Sequence, residues 1–313
     1  MERFPLPAIK TSNIFPECLR LLSLNEINNI NKLGKMIDQF IEPPNPEYVE
    51  DAKNIMFEKK LIDDKGNINL LGKSISRLLD DPIDGLAVLL AKLIDCSYEV
   101  LKIVVFSSFI KDNLTSIFRV PNATHNKKEY EKYKIQKQKL AHRYGDHLSL
   151  LKVFEKFNKY KENNNKLEAW ANKIYLKKDT LIKVTKEYNK IKNNAQNKLK
   201  EIDLKAIKNI LNLTDETIDN LLKLNLDDRI MYCFIKSQEI AFRHTFNDAY
   251  MTEKLKSLGI RLNITVDKNS FLISKYVNKD LPIKVIYKKL FITDGQPNLV
   301  IVSKLPKAIK NLL

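Results

Sequence analysis

Arg143-Tyr-Gly-Asp-His-Leu-Ser-Leu-Leu-Lys-Val-Phe-Glu-Lys-Phe157 is the stretch around which the chain is organised. Its Gly-Asp-His turn stops a Lys-rich segment and opens a helix. Asp146 stands where a side-chain oxygen would satisfy the first free helical amides, so the pattern predicts an N-cap there. Leu148, Leu151, Phe154 and Phe157 follow at steps of three and form one apolar stripe. Lys152, Glu155, Lys156 and Lys159 occupy the other face. A polar turn pinned to a buried helix, inside the most basic part of the chain, is a candidate functional surface.

Charge extends that reading outward. The chain has 313 residues, enough for two or three domains, and is 44% hydrophobic and 29% charged, ordinary for a globular protein. Its net charge of +16 is concentrated: Lys127 to Lys200 holds 21 basic and 8 acidic side chains, a local excess of +13. Lys and Arg that neutralise phosphates release counterions, so such a block suits a polyanion partner. The same block also fits a solvated helical surface in a Lys- and Asn-rich chain. Lys127, Lys128, Lys132, Lys134, Lys137, Lys139 and Arg143 interleave with Tyr130, Tyr133 and Tyr144, a composition that can track a phosphate backbone and stack bases.

Several chemistries are disfavoured. The seven glycines are too far apart for GxGxxG or GxxxxGK[ST], so no phosphate-cradling loop is expected, nor ATP hydrolysis by this chain alone. Cys18, Cys96 and Cys233 lack zinc spacing and point to a reducing compartment, cytoplasmic or nuclear. His142 and His147, five apart across a turn, are poorly spaced for a shared metal, and no nucleophile accompanies Asp146 and His147. No catalytic residue and no metal ligand is therefore assigned. The apolar run from Leu86 to Ile110 is broken by Lys92, Asp95, Glu99 and Lys102, which predicts two buried helices with Ser97 capping the second, not a membrane span. Met1-Glu-Arg-Phe-Pro reads as neither a signal nor a transit peptide.

In chain order, helical spacing runs over 18–40 with breaks near Asn25 and Asn31, and Pro46 opens a helix over 48–59. Leu61 to Leu71 predicts strand, turn and strand, and Gly72 begins another helix. Lys111 to Lys139 is a polar excursion, either a loop or an exposed helix. Trp170 to Ile191 keeps a three- to four-residue step that predicts one long amphipathic helix, and Asp227 to Arg243 predicts another. Trp170 sits in an apolar stripe and reads as core. Segments 259–266, 270–277, 283–293 and 299–303 predict four strands of a small barrel. Lys275, Lys279, Lys284, Lys288 and Lys289 charge one barrel face, either for nucleic acid or as protection of edge strands.

Local strings then resemble a known family. Cys96-Ser-Tyr-Glu, Gly145-Asp-His-Leu and Trp170 with Tyr175-Leu176 are similar to the region that follows the motor in DEAH-box RNA helicases. So are Glu42-Pro-Pro44, Asn67-Ile-Asn-Leu-Leu-Gly-Lys73, Leu6-Pro-Ala-Ile-Lys10 and Tyr287-Lys-Lys-Leu-Phe-Ile-Thr293. The chain departs from the family pattern at Ser274-Lys275 and at Asp179.

The resemblance implies a mainly α chain with a small β part. It would comprise a winged-helix domain with its lead-in over 1–82, a helical ratchet-like bundle over 83–226 and a C-terminal OB-fold β-barrel over 227–313. It implies single-stranded RNA as a partner, with Arg143, Gly145, Asp146, His147, Lys275 and Lys288 as contact residues. ATP and Mg would belong only to two RecA-like domains, absent here and supplied in cis or in trans, and an activator peptide is a further expected partner. The alternative is an adaptor or docking platform that keeps the fold without a motor.

Overall fold

A computed structural model describes residues 13–243, 249–252, 255–256, 262–276, 280–293 and 295–312. The string Leu6–Lys10, His244 and Lys279 lie outside them. The described chain is mostly helical with one small sheet. In order it runs α1 Phe15–Leu22, α2 Ile30–Ile37, α3 Pro46–Glu58, α4 Leu70–Leu78, α5 Pro82–Leu93, α6 Ser97–Ser108, α7 Lys127–Leu140, α8 Asp146–Tyr160, α9 Asn164–Lys173 and α10 Lys178–Glu201. Then follow α11 Leu204–Leu211, α12 Asp215–Leu222, α13 Leu226–Ser237, β1 Glu239–Arg243, β2 Tyr250–Thr252, β3 Thr265–Val266, α14 Phe271–Lys275, β4 Lys284–Thr293 and β5 Gln296–Lys304. Among the described residues no helix is long and apolar enough to cross a membrane. The chain forms two compact units, Met1–Leu93 with Asn194–Asn220, and Ile94–Asn193 with Leu221–Leu313.

In the first unit, α1 buries Phe15, Cys18, Leu19 and Leu22, the one-face spacing of an amphipathic helix, and packs on α3 and α4. Pro46 opens α3 after the Asn45 side chain has accepted from the Glu47 amide. The segment expected as strand, turn and strand is reduced to isolated bridges, Ile62 with Ile68 and Asn67 with Asn29. The Asp63 carboxylate accepts from the Lys65 and Asn67 amides and so closes the turn locally, leaving few amides for a ladder. Helix α4 begins at Leu70, two residues before Gly72, because Asn69 caps it through the Gly72 amide.

In the second unit, α6 and α8 pack together, and the five strands lie in the order β2-β1-β4-β5-β3. The β4–β5 hairpin is the longest pairing in the sheet, and Leu272, Val285, Tyr287, Leu299 and Val302 form part of the sheet's core.

Four expectations are corrected in this unit. Ser97 is the first helical residue of α6, not its cap. The stretch from Trp170 to Ile191 is two helices: Tyr175, at φ 59°, breaks it and lets Leu176 turn inward and bridge to Phe118. The stretch 227–243 is helix only to Ser237, after which Glu239–Arg243 pairs with β2 and β4. Segment 271–275 is helix, not strand, because the Ser270 hydroxyl accepts from the Leu272 amide and caps it.

Candidate nucleic-acid interface

The turn before α8 is built on a backbone that only glycine adopts with ease. Gly145 sits at φ 110°, ψ −144°, and a Cβ there would lie 2.5 Å from the Val302 carbonyl oxygen. Around it the Lys304 amide donates to the Tyr144 carbonyl at 2.8 Å, and the Gly145 backbone bridges to Ser303. The turn is thus threaded against strand β5.

Asp146 does not cap its own helix. It is the first residue of α8, and its side chain points across to two other elements. One carboxylate oxygen accepts from the Phe271 amide at 2.6 Å and the other from the Val302 amide at 2.7 Å, while the Ser270 hydroxyl reaches both at 2.9 Å. Ile301, at φ 58°, is a strained β-branched residue at which the β4–β5 ladder skips its pairing with Lys288. Burial pushes the Asp146 carboxyl up to about 7, against the opposing pull of those donors.

His147 is equally enclosed. Its ring lies 4.4 Å from that of Phe234, and its Nδ1 is 2.9 Å from Ser303 Oγ. Burial, then the charge of Lys288, depresses the imidazole to about 3, so it is neutral at physiological pH. Both Asp146 and His147 have no exposed surface. Neither side chain can touch a ligand in this arrangement; their geometry suits them to position the turn.

The cations separate into those that meet and those that do not. The Arg143 guanidinium lies 4.7 Å from the centre of the Tyr144 ring, and the Lys304 ammonium lies 5.8 Å from the same ring and 5.4 Å from that of Tyr276. Lys275 precedes Tyr276 and is exposed. The Lys152 ammonium is held below its ordinary value first by burial and then by the charges of Lys156 and Lys275. Arg143, Lys275 and Lys304 have no ion-pair partner among the described residues. His142, at the edge, meets Asp227 at 3.1 Å, and the Tyr144 hydroxyl donates to Asp228 at 2.6 Å.

Other sequence candidates are bonded or buried. Lys288 is half-buried, and its ammonium donates to Ser107 Oγ at 2.9 Å. Tyr133 is 2% exposed and packs edge-on against Phe118 and Tyr175, so it is core and not a stacking platform. Lys137 is 3% exposed, its ammonium between the rings of Phe118, Tyr133 and Phe271 at 5.7–5.9 Å, and burial lowers it to about 8. The sequence reading missed Lys304 and Tyr276. Lys152 and Lys156 were visible as an i, i+4 pair on the polar face of α8; what joins them to Lys275 is tertiary.

Arg143 and Lys275 are exposed, Lys304 and Tyr276 are half-buried and Tyr144 is buried, so the patch presents cations at its surface and keeps the Tyr144 ring beneath them. It can hold an extended polyanion. No family model matches this chain. Ten curated proteins do. One, the "Putative ATP-dependent RNA helicase L540" of Acanthamoeba polyphaga mimivirus, is 22% identical over 298 residues, which cover 94% of this chain and 42% of that protein. The chain therefore spans less than half the length of that relative, and at this distance it is related to a protein named as an ATP-dependent RNA helicase.

Proposed function

We propose that the chain is the RNA-binding part of a DEAH-type ATP-dependent RNA helicase, gripping single-stranded RNA while separate RecA-like domains bind ATP and Mg and hydrolyse the nucleotide. The reading takes residues 1–82 as winged helix, 83–226 as ratchet-like bundle and 227–313 as OB-fold. The observation that carries it is the meeting of Arg143 and Lys304 on the Tyr144 ring at the Gly145 turn, with Lys304 also at the Tyr276 ring and the exposed Lys275 beside Tyr276 in the chain. Cations that follow a backbone beside aromatic faces are what an unpaired strand needs. The name of the distant relative supports the same reading. In this function Gly145, Asp146 and His147 hold the turn in place, and Arg143 and Lys275 meet phosphate.

Fluorescence anisotropy with a labelled single-stranded RNA at low salt tests the proposal. Binding should be seen with the intact chain and should weaken at least about tenfold in the double variant Arg143→Glu/Lys275→Glu. An anisotropy that stays flat with the intact chain would sink it and favour the docking-platform alternative.

A further inference from the structure

Two carboxylates stand beside the cations at the Gly145 turn, where by charge alone they would oppose a polyanion. Asp227 and Asp228 lie in the first turn of α13, a place where free helical amides favour acidic side chains. Both nevertheless reach across to the turn before α8. The Gly145 amide donates to the His142 carbonyl at 3.1 Å and closes a four-residue turn with Arg143 and Tyr144 at its centre. Asp227 meets His142 and Asp228 meets Tyr144, so the residues on both sides of Arg143 are held from one helix.

Asp228 is buried. One of its carboxylate oxygens accepts from the Tyr144 hydroxyl at 2.6 Å and the other from Asn225 Nδ2 at 2.7 Å. Burial, then the hydrogen bond to Asp228, pushes the phenol up to about 12, so it is the donor at physiological pH. Two donors thus converge on one buried group. A carboxylate serves both, whereas an amide there would turn its NH2 toward one of them. Asn225 is fixed in turn, since its Oδ1 accepts from the Asp228 amide and caps α13. With the Tyr144 carbonyl bonded to the Lys304 amide, the ring beneath the Arg143 guanidinium is secured at its hydroxyl and at its backbone. On the other side of Arg143, His142 Nδ1 accepts from the Tyr144 amide at 3.3 Å. The proton of the neutral imidazole is therefore on Nε2, 3.1 Å from an Asp227 oxygen.

We infer that Asp227 and Asp228 are positioning residues, which hold the His142–Gly145 turn so that the Arg143 guanidinium rests on the Tyr144 ring at the surface. In this role neither carboxylate needs to touch a ligand; each acts through Arg143. That Arg143 then meets phosphate rests on the proposed RNA-binding function. Action by charge and action by placement have opposite signs when a carboxylate is neutralised.

The test uses the full chain and two readouts. In the first, fluorescence anisotropy follows single-stranded RNA at low salt. Asp228→Asn makes the chain more positive, so charge alone would tighten binding, whereas placement predicts at least about threefold weaker binding. Tyr144→Phe keeps the ring and the charge and removes only the hydroxyl; it should show a loss of the same size, and Asp227→Ala should act in the same direction. In an Arg143→Gln background these changes should cost nothing further, and in a Lys275→Gln background they should cost as much as in the parent. Binding by either aspartate variant that equals or exceeds the parent's overturns the inference. So does an undiminished loss in the Arg143→Gln background, which marks a general structural role. Should Asp228→Asn fail to fold, Tyr144→Phe serves for both readouts. In the second, NMR relaxation of the Arg143 Nε–H group reports its order without RNA. Order should fall in Tyr144→Phe and Asp228→Asn, and unchanged order overturns the inference even where RNA binds. If anisotropy stays flat with the intact chain while order falls in the variants, the positioning role stands and the RNA-binding function fails.

Discussion

Gly145 and Asp146 divide one task between backbone and side chain. The glycine takes a conformation that brings the turn against the Val302 carbonyl, and the aspartate then takes up the Val302 and Phe271 amides. Sequence inspection saw the pair as a turn and a cap, because an acidic residue after glycine at a helix start usually is one. It could not see that the carboxylate's partners lie more than 120 residues away. Gly145→Ala should destabilise the unit by at least about 2 kcal/mol, since φ 110° is costly for any side chain and the new Cβ meets backbone, which cannot rotate aside. A urea midpoint equal to that of the parent would contradict this account of the turn.

At the scale of elements, Asp146 and His147 tie α8 to β5 and α14, and they titrate in opposite senses. The folded value of Asp146, about 7, lies above its unfolded value of about 3.9. Its contribution to stability is therefore fully present below about pH 3.9 and is lost as pH rises through 7. The folded value of His147, about 3, lies below its unfolded value of about 6.5. That contribution is present above about pH 6.5 and is lost as pH falls toward 3. Between about pH 4 and 6.5 the two slopes oppose each other, each up to about 1.4 kcal/mol per pH unit. Asp146→Asn removes one of them. Urea midpoints should then fall more steeply on acidification in the variant than in the parent over that window, and parallel curves would refute the assignment. Helix α14 shows the limit of local reading at this scale: Ser270-Phe-Leu-Ile-Ser-Lys275 has strand-like composition, but Ser270 caps a helix and its hydroxyl also bonds Asp146.

For the whole molecule, the net charge of +16 gives every polyanion a general attraction, and the patch should give it a place. The plot of log affinity for single-stranded RNA against log salt should lose about 0.7 of slope for each phosphate-contacting cation removed. Lys275→Gln, on the patch and exposed, should show that loss. Lys288→Gln should leave the slope unchanged, because its ammonium is bonded to Ser107. Equal changes for both variants would mean that charge acts diffusely and not through the patch. Composition and periodicity by themselves determined the mainly helical character, the apolar stripe of α8, the β4–β5 hairpin and the basic middle of the chain, because each is set by residues a few positions apart. Only the tertiary structure decided which cations are usable: burial placed Lys137 among aromatic rings and bound Lys288, while packing brought Lys304 to the Tyr144 ring that Arg143 also meets. Charge is written in the side chain, but its availability depends on desolvation and on neighbours that are distant in sequence.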